Sequence, residues 1–288
     1  MPHDKKTSAT IPFRVAALCA VFLCIVLVAS LLANTPMPAT GVLHSPAGTT
    51  PAPALILPQT CPQTIMQEPV MPVIRESLKA ETLDLHMPPA EDRVSYTARG
   101  FDEPVEAAVA WWMSPGFMDN TSEFRRYERT TADGRLTFPE EHRIFFAFIE
   151  NELDTAEQQS VLKTDQILFR GIGPSFAGTV MNTSRYYEPS FASTSYDISI
   201  PLDAFGTRGP DGYRNVMVLK RETGEHAIYI NEDEREYLIP RGTEWTVTRT
   251  VNVENLTVVA DFPLHDRPAG TASFDHVRLI YIQPAVCR

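Results

Sequence analysis

Helical periodicity in the first half of the folded part and strand texture in the second predict an α+β fold. From Val73 to Lys163 apolar positions recur at three and four. From Gln166 onward short β-branched and aromatic runs are broken by Gly, Pro, Asn and Asp. Strand-like runs do not alternate with helices, which excludes a parallel βαβ sheet, and no internal repeat is visible. The expected organisation of 73–288 is a helical part over 73–163 followed by a β part over 164–288.

In the helical part, Glu103 to Met113 (EPVEAAVAWWM) reads as a helix with an apolar face, stopped by Ser114-Pro115-Gly116. Asn120 or Thr121 can cap a second helix through Phe124 and Tyr127. Pro139 suits the first turn of a third, PEEHRIFFAFIENEL, with Glu140 and Glu141 beside the positive end of its dipole. Ile144, Phe145, Phe148, Ile149 and Leu153 form its expected buried stripe, and Trp111 and Trp112 are expected in the core. His142 has no second ligand at i+4, so helix-borne zinc chemistry is not supported and no metal is assigned.

The β part reads as runs at 166–172, 190–196, 215–222, 226–230, 234–240, 243–253, 256–262 and 276–283. Between the first two, the glycines from Gly171 to Gly178 superficially suggest a dinucleotide loop. The spacing is wrong and no βαβ unit follows, so Gly173 and Pro174 read as a plain loop leaving the first strand.

Residues Val15 to Ala33 are an unbroken apolar run behind Lys5, Lys6 and Arg14, the pattern of a secretory signal or an uncleaved anchor. The run approaches the ~20 residues of a bilayer span, and Val28-Ala29-Ser30 would suit cleavage, so either fate is open. Both export the rest of the chain, with 15–33 as the membrane contact if uncleaved. The proline-rich stretch 34–72 reads as an extended, disordered stalk. Export leaves Cys61 and Cys287 as the cysteines beyond the apolar run, most simply one disulfide, otherwise two free thiols. A net charge of -11 argues against nucleic acid as the main partner.

Three short stretches carry candidate chemistry. Arg170 precedes Gly171 on the first run of the β part, and an arginine on a rigid strand can grip a diphosphate with its planar fork. In Ser193-Thr194-Ser195 the serines share one strand face, where a hydroxyl can orient a carboxylate, and Thr194 takes the other. In Glu234-Arg235-Glu236, a continuous strand would aim both carboxylates into one space and raise one of their pKa values.

Arginine, then Ser-Thr-Ser behind an aromatic, then Glu-x-Glu running into Leu-Ile-Pro-Arg-Gly-Thr, in that order, resembles the mono-ADP-ribosyltransferases of the arginine–serine–glutamate type. The likeness runs from about residue 140 to the C-terminus. It implies N-terminal helices followed by a mostly antiparallel two-sheet β core, with NAD as substrate. By the same likeness Arg170, with Gly171 beside it, would hold the NAD diphosphate. Ser193 would position the catalytic Glu236, and Thr194 and Ser195 would shape the nicotinamide side. Glu236 would bind the ribose and stabilise its cationic transition state. Glu234 would receive an arginine of a target protein, and Asn231-Glu232-Asp233 would read that target. An NAD glycohydrolase and a catalytically silent stalked binding module are the alternatives.

Overall fold

A computed structural model describes residues 73–285 other than 115–116, 131–134, 136 and 184. The apolar run at 15–33, the stalk at 34–72 and both Cys61 and Cys287 lie outside the described residues. Among those described, no helix is long and apolar enough to cross a membrane.

The strands form one nine-stranded sheet in the order β1-β8-β9-β5-β2-β4-β7-β6, with β3 also paired to β8. They are β1 (Ile74–Leu85), β2 (Gln166–Ile172), β3 (Arg185–Glu188), β4 (Ala192–Ser195), β5 (Arg214–Arg221), β6 (Ile228–Asn231), β7 (Glu236–Ile239), β8 (Thr243–Ala260) and β9 (Gly270–Pro284). Pairing is antiparallel except for β1 with β8 and β5 with β9. The expected two-sheet core is therefore corrected to one sheet. Continuity comes from β2, which pairs with β5 along its whole length but with β4 through Phe169 and Ser195 alone.

The described chain also opens on a strand, where helix was expected. β1 is rich in Leu and Glu, good helix formers, yet it lies along β8 with most side chains outside the core. A long ladder has overridden weak local propensity.

The helices are α1 (Glu103–Trp112), α2 (Phe117–Arg129), α3 (Glu140–Gln158) and α4 (Pro174–Asn182). α1 starts where the sequence indicates, with Pro104 in its first turn and Glu103 and Glu106 beside the positive dipole end. α2 begins before the expected caps, so Asn120 and Thr121 lie inside it. Pro139 takes the N-cap of α3, one position before the first turn. The phase of α3 is also displaced from expectation: Ile144 is 64% exposed and Phe146 is buried, because the inward stripe runs Phe146, Ile149, Glu150, Leu153 and Glu157. The loop expected after β2 is helical, with Gly173 as N-cap and Pro174 opening α4.

Strand alternation separates two cores. Phe191, Ile228, Ile230 and Leu238 face α1, α2 and α3, where Trp112, Phe124 and Phe146 pack edge to face. Tyr229, Tyr237 and Ile239 point the other way and join the larger core beneath β8 and β9. The β4-β7-β6 end of the sheet is thus clamped between helices and strands, and Glu236 lies on its helical side.

Candidate active site

Glu236 opens β7 opposite Ser195, and Leu238, its neighbour on that face, lies opposite Ser193. Its side chain therefore enters the space beneath the helices, and the residue is 5% exposed. Trp112 Nε1 donates to its Oε1 at 3.3 Å, and Asn231 Nδ2 to its Oε2 at 3.3 Å. The Ser193 hydroxyl donates to it as well. Burial pushes the carboxyl above its usual range. The Ser193 bond pulls it down, the Glu234 charge adds to the rise, and the Trp112 bond and Arg125 oppose it.

Glu234 is not on the strand. The hairpin from β6 to β7 turns through Glu232–Arg235, with Arg235 at φ 50°, so the extended run expected from Glu234 is broken before it can align both carboxylates. Glu234 is exposed, while its backbone is fixed at both ends: its N–H donates to Asn231 Oδ1 at 2.7 Å and its carbonyl accepts from Ser195 Oγ at 2.9 Å. Arg235 anchors the turn through an ion pair with buried Asp197 and lies 5.4 Å above the Phe262 ring. One carboxylate is dry and held by donors. The other is wet, close enough for its charge to push the first one up.

Arg170 points from β2 to Glu188, Nη1 to Oε2 3.3 Å, and the carboxylate is 2% exposed. Arg129 of α2 reaches the same carboxylate at 3.2 Å. Arg125, one helical turn earlier, sits 5.1 Å from the Trp112 ring centre. Its guanidinium is lowered to about 10, by burial first and then by Arg170 and Arg129, while Glu236 and Glu188 oppose the fall. It stays cationic at neutral pH and interacts with both the Arg170 and the Glu236 ends of the site.

The structure thus brings Ser193 onto Glu236, sets Glu234 beside it, and places Arg125 where the charges of both Arg170 and Glu236 act on it. Thr194 is turned away, donating to the Tyr237 carbonyl at 2.8 Å. Ser195 uses its hydroxyl on the turn. At Gly171 a Cβ would stand 2.9 Å from the Pro201 carbonyl and 3.0 Å from Phe205 Cβ, so the glycine admits the π-helical turn Pro201–Phe205 against β2. Among the described residues no group of three or more His, Cys, Asp or Glu could hold a metal ion.

Sequence reasoning missed Arg125, Arg129 and Glu188, placed Trp112 only in the core, and put Asn231 only in the target-reading turn. The signal available was the i, i+4 pair Arg125 and Arg129, a basic stripe in an acidic protein.

No family model and no curated protein matches the chain. Solved structures similar to it include an ADP-ribosyltransferase from Clostridium botulinum, at 16% identity and TM-score 0.41, covering 66% of this chain and 90% of that one. The ADP-ribosyltransferase Vis in complex with agmatine is 15% identical with TM-score 0.45, covering 65% of this chain and 76% of that one. A protein from S. aureus solved with NAD is 14% identical with TM-score 0.42, covering 66% of this chain and 90% of that one.

Proposed function

We propose that this chain transfers ADP-ribose from NAD to an arginine side chain of a target protein, releasing nicotinamide, with its catalytic part exported from the cell that makes it. The observation that carries the reading is the unequal carboxylate pair. Glu236 is buried and held by Ser193, Trp112 and Asn231, and the exposed Glu234 stands beside it.

Breaking the C1′–N bond of NAD sends the bonding electrons to nicotinamide and leaves positive charge on the ribose. A fixed anion at that point, Glu236, stabilises the charge as it develops. Arg170 would hold the diphosphate by charge-assisted bonds. The acceptor guanidinium is too basic to attack as a cation. Glu234, open to solvent on a pinned turn, can receive it and take the proton lost as its nitrogen bonds to C1′. Water entering the same place would give NAD hydrolysis.

The test incubates the full chain with labelled NAD and polyarginine, beside Glu234→Gln and Glu236→Gln. Expected are labelled polyarginine and free nicotinamide with the native chain, neither with Glu236→Gln, and residual nicotinamide without acceptor labelling for Glu234→Gln. Free ADP-ribose with an unlabelled acceptor in the native chain would make it a glycohydrolase. No nicotinamide under any condition would leave a binding module.

A further inference from the structure

Glu188 is a buried charge that the chemistry above does not use, and it is the most heavily partnered carboxylate near the site. It closes β3, which pairs with the start of β8, and its carbonyl accepts from Gly242 N at 2.8 Å, so its backbone is fixed. Its carboxylate accepts from Ser190 Oγ at 2.7 Å, Ser190 N at 3.3 Å and Tyr186 Oη at 2.8 Å. Two guanidinium groups complete the set, Arg129 from α2 and Arg170 from β2.

One carboxylate facing two arginines leaves a cationic surplus. Arg170 is 14% exposed and Arg129 42%, so the surplus opens to solvent on the Arg129 side. Unshared, the two guanidinium groups would repel and Arg129 would swing free on its long stem. With Glu188 between them both are held, and neither fork is used up, since each arginine retains further N–H donors.

We propose that Glu188 is a positioning residue that holds Arg129 beside Arg170, so that the two arginines together grip the diphosphate of the nucleotide. The assignment deepens the NAD reading and rests on it. It adds Arg129 to the nucleotide contacts and gives Glu188 a task on the binding step alone. Glu188 touches no reacting atom, so its loss weakens nucleotide binding and leaves the bond-breaking step nearly as it was.

The test measures nicotinamide release against NAD concentration and, separately, calorimetric binding of ADP-ribose, for the full chain and for Glu188→Gln, Glu188→Asp, Arg129→Gln and the Glu188→Gln/Arg129→Gln double variant. Glu188→Gln and Arg129→Gln should each raise KM for NAD and Kd for ADP-ribose about tenfold, with kcat within about threefold. The double variant should be little worse than either single one, because both remove the same held guanidinium. Glu188→Asp should recover part of the loss. Unchanged ADP-ribose affinity in Glu188→Gln, a fall in kcat at constant KM, or additive losses in the double variant would overturn the assignment. If Glu188→Gln does not fold, the partly exposed Arg129→Gln decides, and unchanged affinity there overturns it. A native chain that binds ADP-ribose in this Arg129-dependent way without releasing nicotinamide would sink the transferase reading and keep the cradle. Nicotinamide release without any dependence on Arg129 would do the reverse.

Discussion

Glu188 and Glu128 are buried almost equally, at 1% and 2% exposure, and their carboxyls are pushed in opposite directions. For Glu188 burial alone would raise the carboxyl, but Arg170 and Arg129, with the Ser190 and Tyr186 bonds, bring it below its usual range. For Glu128, on the inner face of α2, burial dominates and Glu150 adds to it. Neither of its oxygens has a hydrogen-bond partner, and it is held well above the usual range. The surroundings of Glu188 favour the ionised form of its carboxyl, and those of Glu128 the neutral form. Partners, and not depth, decide whether a buried acid is an anion. Glu236 lies between these extremes, with donors but no close ion pair.

The largest effect that would break the contrast is at Glu188. Replacing it by Ala leaves two guanidinium groups facing each other and should destabilise the fold by about 3–5 kcal/mol in denaturant unfolding. Its depressed pKa makes its contribution present above the unfolded value and lost as pH falls through the folded one. Native stability should therefore drop on acidification more steeply than that of the Glu188→Ala protein. Equal slopes would show that the two ion pairs contribute nothing.

Next comes Glu236. Glu236→Gln removes the anion while keeping most of its shape, and nicotinamide release should fall about 10²–10³-fold. Because the carboxylate form is the active one and its pKa is raised, the acid limb of the native rate profile should lie above the usual glutamate range. A limb at or below that range would remove Glu236 from the role.

Glu128 sharpens the other side. A raised folded pKa gives stability at low pH that is lost as pH rises through the folded value. Glu128→Gln should thus be more stable than the native chain at neutral pH, by about 1–3 kcal/mol, and should flatten that slope. Destabilisation at neutral pH would mean that Glu128 is ionised and paired after all.

The smallest effect expected is at Trp112. Trp112→Phe keeps the aromatic packing against Phe191 but removes the N–H on Glu236, and should slow nicotinamide release about threefold to tenfold by a net loss of ~1 kcal/mol. An unchanged rate would make Trp112 a packing residue only.

Local pattern and long-range pairing were unequally legible. β2 matches its expected span, Gln166–Ile172, because a short apolar run bounded by turn residues has little else to become. The runs expected at 243–253 and 256–262 are one strand, β8, because the ladder with β1 resumes at Asn255 and Lys79 pairs with the Glu254 side chain where composition suggested a break. β1 itself was misread because its partner lies far along the chain and its own residues favour helix. Glu234 was misassigned for a different reason: the positive φ of Arg235 depends on an ion pair with Asp197 and a ring from Phe262 that no local pattern displays.

By itself the sequence determined the strand and helix content of most of 103–285 and the ordered motifs at Arg170, Ser193 and Glu236, since periodicity, turn chemistry and motif order are local properties. Only the tertiary structure decided that the strands make one sheet, that Glu236 is dry while Glu234 is wet, and that α2 delivers Arg125 and Arg129 to the carboxylates. Those outcomes depend on which distant groups meet away from water, where charges interact strongly and unpartnered ones are expelled or neutralised.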